Sequence, residues 1–293
     1  MAQPESPPPE QRRVSHISHS SRETLLRCAK SYFLSRIAGA PKRPALWLAG
    51  GSAVHEVTEA YDRRVIAGKG QDVAFDVGEE WALAFSAQLE KARGQERNEN
   101  AWRWSRTEPI PVWDSLGPQL VQSYIDWRER SPWEIWTTPD DEPAIELDVS
   151  GYLPGCPVEI KAYVDRVFWD PVFERLEVVD LKTGKRPPKT ADQFGTYGAL
   201  IEAKYGVKPH SGIPFMNRRG TVGRPYELDE YTPEAVGALY GEAWEQIQRD
   251  EFPADGYASE CFICDVSDAC FVKAGPLAHI YDPDHPAYEG QAP

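Results

Sequence analysis

The chain has 293 residues, 41% of them hydrophobic and 27% charged, enough to bury a substantial core, which excludes a disordered tail or a small disulfide scaffold. Thirty-two Lys and Arg against 46 Asp and Glu give a net charge of -14, which excludes a uniformly basic nucleic-acid coat but leaves room for one local basic groove. The cysteines, Cys28, Cys156, Cys261, Cys264 and Cys270, are odd in number and crowd toward the C-terminus. That pattern points to thiol ligation in a reducing compartment and not to a disulfide framework.

Residues 1–17 open with MAQPESPPP and read as a disordered tail without the apolar stretch of a signal peptide. No apolar run approaches the length of a membrane span. From Ser20 to Ile37 the apolar positions follow a helical period, with Ser20 or Ser21 as cap. The stretch GAPKRPALWLAGG breaks it, and a second helix is expected from Ser52 to about Ile66. Helices are also expected over 77–93 and 114–130, with the Trp-rich WRWSRTEPIPVW as an ordered loop or cover, which completes a helical part at about 20–130.

The period then changes from 3.6 to 2. AIELDVSG, VEIKAYVDRVFWD and RLEVVDLKTG read as three successive strands; 190–205 as a helix; HSGIPFMNRR and RPYELDEYT as strands; and 233–250 as a helix. This predicts an α/β fold, a mixed central sheet carrying helices on its faces, with the core at about 144–250. Residues 253–271 hold three cysteines and little regular pattern, and 272–293 read as a C-terminal tail.

VVDLKTG is the most informative segment. Residues i and i+2 of a strand share a face, so Asp180 and Lys182 project together, a carboxylate for a divalent cation beside an ammonium for a substrate phosphate. Asp165 stands fifteen residues earlier, at a hairpin-like separation. Two aspartates side by side in one sheet repel unless a cation lies between them, and oxygen ligands favour Mg or Mn. In GSAVHEVTEAY, His55 and Glu59 share a helix face at i and i+4, His55 as a further ligand and Glu59 as its support or a second ion's. Gln193 and Tyr197 are likewise i and i+4 on the helix after the DLKTG strand, suited to a phosphate or a base edge.

GSAVHEVTE, AYVDRV, VVDLKTG and QFGTY, in that order, resemble the motifs of RecB-type exonucleases of the PD-(D/E)XK nuclease superfamily, over about residues 18–271. The resemblance implies a restriction-endonuclease-like core in which His55, Asp165, Asp180 and the Leu181 carbonyl hold the metal. It makes Lys182 the catalytic lysine, Gln193 and Tyr197 the pair after the active-site strand, and Glu59 an acidic position following the histidine. Ala162 stands where the family usually has glycine, and Leu181 where an aromatic is common. Neither change removes a polar catalytic group.

SECFICDVSDACF gives C-x2-C-x5-C, with Cys28 in LLRCAKSYF as a candidate fourth thiolate. Four thiolates suit zinc or an iron-sulfur cluster; a spacing unlike the paired knuckles of zinc ribbons favours 4Fe-4S. The arrangement resembles the CRISPR-associated RecB-like exonucleases and the AddB nuclease domain. That resemblance implies a 4Fe-4S staple through Cys28, Cys261, Cys264 and Cys270, although Ala29 replaces the proline usual after the first cysteine. Cys156 has no counterpart there and reads as structural.

Positive charge clusters in residues 21–43, 182–189 and 204–224, expected to line a phosphodiester channel, with Trp47, Tyr32 and Phe33 as candidate base-stacking groups. The leading expectation is an Mg/Mn-dependent exonuclease on single-stranded DNA ends. It would act in replication, recombination or repair beside recombination or replication proteins, in the cytoplasm of a bacterium or a phage-infected host. The alternatives are a DNA-end-binding or adaptation accessory with weak or no hydrolysis, and a structural zinc protein docking a basic partner. No phosphate-loop motif is present, so unwinding of duplex by this chain is not expected.

Overall fold

The computed structural model describes residues 14–68, 75–105, 107–255 and 261–288; the tail expected over 1–13 lies outside them. What remains of that expected tail is ordered. Ile17 is fully buried in β1 (His16–Ser18), so the first structured element begins before the expected boundary. Ser18, not Ser20 or Ser21, caps α1 (His19–Arg27): it accepts from the Ser21 backbone while Ser21 Oγ accepts from the Ser18 N–H, a reciprocal capping box. The helix expected to run on to Ile37 breaks at Cys28, whose backbone is extended, and resumes as α2 (Ala29–Tyr32) and a π-helical turn, Phe33–Ile37. No glycine or proline marks the break.

Helix α3 (Leu46–Ile66) starts ahead of its expected first residue and runs through Gly50 and Gly51. Glycine belongs at position 50 for packing and not as a breaker: the Trp113 ring lies where a β-carbon would be. α3, α4 (Val77–Gln95) and α5 (Ile110–Arg130) bury Val54, Val57, Phe85, Trp113 and Leu120 in one helical core. Between α4 and α5, Trp102 and Trp104 donate to backbone carbonyls of Glu96 and Glu99, making the Trp-rich segment an ordered cover.

β2 (Glu134–Ile135), β3 (Ile145–Asp148), β4 (Glu159–Lys161), β5 (Tyr163–Asp170) and β6 (Arg175–Lys182) follow. Then come α6 (Asp192–Tyr205), β7 (Ser211–Met216), β8 (Thr221–Val222), β9 (Tyr226–Glu227), α7 (Pro233–Gln248) and α8 (Ala278–Tyr281). β5 and β6 pair antiparallel; β6 and β7 pair parallel through the α6 crossover; β2 and β3 flank β5, and β8 and β9 flank β7. The mixed sheet is therefore an α/β architecture. β6 is buried at every interior position because α6, α7 and α1 cover one face and α5 covers the other through Tyr124, Phe168, Val179 and Phe215. Among the described residues no helix is long and apolar enough to cross a membrane.

The segment expected as a C-terminal tail is docked through residue 288. Lys30 of α2 is buried and its ammonium lies 3.1 Å from Asp282 and 2.9 Å from Asp284; Asp282 also accepts from the Phe271 N–H. Asp282→Ala leaves the buried Lys30 ammonium to the exposed Asp284 alone and the Phe271 N–H without its acceptor, so it is expected to destabilise the protein by about 3 kcal/mol and to expose residues beyond Phe271 to protease. Chemical denaturation and limited proteolysis measure both; unchanged stability would make the pair dispensable.

Candidate metal centre and its cleft

The site is built where β5 and β6 part company. Their ladder runs to the Arg166 and Val179 pair, so Asp165 and Asp180 are the next residues along and share a face. Asp165 Oδ2 accepts from the Leu181 N–H at 2.7 Å, and its Oδ1 lies 3.3 Å from Nδ1 of His55, which α3 lowers onto the strand end. The other ring nitrogen of His55 is 3.1 Å from the Leu181 carbonyl.

Asp180 Oδ2 meets Lys182 Nζ at 2.6 Å, which places the two on a common face as the strand spacing predicts. Gln193, at the start of α6, closes a ring: Nε2 donates to Asp180 Oδ1 at 2.8 Å while Oε1 accepts from Lys182 at 2.9 Å. The opposite amide orientation would face acceptor to acceptor and donor to donor. Nε2 also donates to the Tyr197 hydroxyl, one turn on, at 2.9 Å.

Burial and the neighbouring Asp165 push the Asp180 carboxyl up to about 6, against the pull of Lys182. Burial opposes the His55 imidazolium, but Asp165, Asp180 and Glu146 outweigh it and raise the group to about 9. Burial likewise opposes the charge on Asp165, which His55 nonetheless holds below the ordinary carboxylate range.

The structure brings together His55, Asp165, Asp180, the Leu181 carbonyl, Lys182, Gln193 and Tyr197. It does not bring Glu59 into contact with them. Glu59 lines the cleft but is held by Arg63 at 2.8 Å, one turn further along its own helix. Its place is taken by Glu146 of β3, a residue that sequence reasoning passed over. His55, Glu146 and Asp165 are the group among the described residues that offers three ligand atoms within 4.8 Å of one another, and Glu146 Oε1 is buried without a hydrogen-bond donor. This nitrogen and oxygen donor set fits a hard divalent cation. Glu146 has φ 48, a left-handed conformation that costs a non-glycine residue roughly 1–3 kcal/mol and collects at functional sites. In AIELDVSG nothing separates it from Asp148, since both are polar residues of an alternating strand.

A cleft of about 1060 Å³ opens onto His55 and Glu146. Its lining includes the apolar Trp47, Leu48, Trp104 and Ile263, the cationic Lys185, Arg186 and Arg218, and the acidic Glu56, Glu59 and Glu108. Glu108 grips Lys185 at 2.9 Å and Arg218 at 3.0 Å. Several of the other expected channel cations are committed elsewhere: Arg22 to Asp192, Lys30 to the C-terminal acids, Lys42 to Asp265 and Arg43 to Asp268. Tyr32 and Phe33 pack on Phe252 in the core, so of the three aromatics Trp47 alone lies in the cleft.

Cys28, Cys261, Cys264 and Cys270 line one small cavity with Ser31 and Leu34, and all are free thiols. The extended backbone at Cys28 interrupts the helix at the residue that joins this cavity. Cys156 stands apart, donating to the Val158 carbonyl.

The sequence profile of the PD-(D/E)XK nuclease superfamily matches residues 16–271. The chain belongs to this superfamily. The superfamily match takes in the helical part, the sheet and all four cavity cysteines, and it makes the protein a nuclease. The chain is also similar to the Gene 69 protein of Mycobacterium phage D29, 32% identical over 269 residues, which are 88% of this chain and 96% of that protein. The Gene 69 protein of Mycobacterium phage L5 is 28% identical over 273 residues, 83% of this chain and 92% of its own length.

A raised His55 stabilises the metal-free fold fully below its unfolded value of 6.5 and loses that contribution as pH rises through about 9. A raised Asp180 costs stability on ionising, between its unfolded 3.8 and about 6. A cation needs both groups deprotonated. The melting-temperature gain from Mg²⁺ is therefore expected to widen from about pH 5 to about pH 9, and a gain independent of pH would contradict this ligand set.

Proposed function

We propose that this nuclease is a metal-dependent DNA exonuclease of RecB type that hydrolyses phosphodiester bonds at single-stranded ends. The observation that carries the reading is the cleft, lined by both aromatic and cationic side chains, that leads to His55 and Glu146. Unpaired bases offer faces for Trp47 while their backbone offers phosphates to Lys185, Arg186 and Arg218. A duplex keeps its base faces stacked, out of reach of an indole such as Trp47.

The residues that would hold the cation are His55, Asp165 and Asp180 with the Leu181 carbonyl, joined by Glu146. Bound there, Mg²⁺ or Mn²⁺ supplies polarisation of the phosphoryl oxygen and a lowered pKa for water. Lys182 contributes positive charge beside the phosphate where negative charge develops. Gln193 fixes the ammonium and the Asp180 carboxylate relative to each other, and Tyr197 fixes Gln193.

The four cavity cysteines suit a 4Fe-4S cluster, as in the CRISPR-associated RecB-like exonucleases and AddB. Zinc is the alternative occupant of the same four thiolates. The cluster would staple the C-terminal turns to the helix break at Cys28. The phage relatives fit action in replication, recombination or repair within a host cytoplasm, beside proteins of those processes.

Digestion of 5′-labelled, 3′-labelled and circular single strands with Mg²⁺ or Mn²⁺ tests the activity; linear strands should shorten from an end and circles persist. Asp180→Ala should lose cation binding, while Lys182→Ala should keep it and slow turnover on the order of 10²–10³-fold. Wild-type cleavage by Asp180→Ala at limiting Mn²⁺ would refute the assignment. Protein purified without oxygen should be brown, with about four iron atoms per chain; Cys28→Ser should lose them and Cys156→Ser keep them. Stoichiometric zinc in a colourless preparation would replace the cluster.

A further inference from the structure

His55 differs from Glu146 and Asp165 in its origin: it comes from a helix, whereas they belong to the sheet. The 3.3 Å separation between His55 and Asp165 therefore depends on how α3 docks onto β3 and β5. Seven residues beyond His55, about 10 Å along the helix and within about 20° of the same side, stands Asp62. Among the described residues buried on α3, Asp62 alone is charged.

Asp62 is fully saturated. Its Oδ2 accepts from Arg166 Nε at 2.6 Å and from the Tyr124 hydroxyl at 2.6 Å, and its Oδ1 accepts from Arg128 at 3.1 Å. Arg166 follows Asp165 on β5, facing the opposite side of the sheet, and both side chains of the Asp62 and Arg166 pair are wholly inaccessible to solvent. The guanidinium goes on to the metal group itself: Nη1 lies 3.5 Å from Glu146 Oε1 and donates to the Asp165 carbonyl at 2.5 Å.

Stability does not account for these buried charges. An apolar interface, with Val54, Val57, Leu120 and Val121, already holds α3 to α5. A buried ion pair contributes no more than well-packed apolar residues of the same size. What apolar packing cannot supply is a fixed register and azimuth, because it is non-directional, whereas four hydrogen bonds from three elements to one carboxylate and one guanidinium admit a single arrangement.

We propose that Asp62 and Arg166 are positioning residues for the metal centre: their buried pair fixes α3 on the sheet so that His55 meets Asp165, while the same guanidinium aims Glu146. The proposal rests on the metal-dependent reading of the site. It predicts that the network acts on cation affinity and not merely on stability.

The test is Mn²⁺ binding, without DNA, to the full chain by calorimetry or by electron paramagnetic resonance, with melting temperature measured in parallel. Asp62→Asn keeps the shape and removes the charge; its Mn²⁺ dissociation constant should rise on the order of 10–100-fold. Val57→Ala, which hollows the same interface without touching the network, should lower the melting temperature and leave Mn²⁺ affinity unchanged. Cleavage by Asp62→Asn should recover as Mn²⁺ is raised. Should Asp62→Asn not fold, Tyr124→Phe removes one hydrogen bond to the same carboxylate and should weaken Mn²⁺ a few-fold. Wild-type affinity in Asp62→Asn, or an equal loss of affinity in Val57→Ala, overturns the proposal and leaves the metal centre standing. No Mn²⁺ binding by the wild type overturns the metal reading and this inference with it.

Discussion

Asp165 and Asp180 on neighbouring strands, both almost wholly buried, impose the constraint on which the rest of the molecule depends. Two carboxylates cannot stay ionised together in that setting without positive charge between or beside them. Without a cation, the protein answers with protons and side chains: His55 is held as an imidazolium against Asp165, and Lys182 closes on Asp180. Each answer draws in another element. His55 requires α3 across the strand end, Gln193 requires α6 to begin where it does, and α3 in turn requires the buried charges beneath it.

Most of the residues that carry charge in this centre were legible in the sequence, because strand and helix periodicities translate directly into shared faces. Asp180 with Lys182, and Gln193 with Tyr197, are such cases, and their contacts follow from spacing alone. Glu146 was not legible. Its role depends on a left-handed backbone and on β3 lying beside β5, neither of which leaves a mark in AIELDVSG. Glu59 misled for the converse reason: helical spacing places it on the His55 side, but an arginine four residues later takes its carboxylate. The helix break at Cys28 was hidden because apolar periodicity continues across it without glycine or proline. The basic stretches were legible only in part: Lys185, Arg186 and Arg218 reach the cleft, but a count of cations along the chain does not reveal the acids that meet others, such as Asp192 and Asp282.

The cysteine cavity and the nuclease cleft share a wall. In the turn Cys261–Ile263 the cysteine faces the cavity while Ile263 faces the cleft. Arg103 locks that turn, donating to the Ile263 carbonyl at 2.8 Å with its guanidinium 5.4 Å from the ring centre of Trp47. The lining of the cleft at Ile263 thus belongs to the cysteine turns, and its shape there follows theirs.

The pair between Lys30 and Asp282 joins residues 252 positions apart. During synthesis at roughly 5–20 residues per second, the lysine leaves the ribosome roughly 10–50 s before its partner exists. The early helices and the strands can assemble in that interval, but α2 cannot bury its ammonium until the far end of the chain arrives. The last turns translated therefore complete the first helices made.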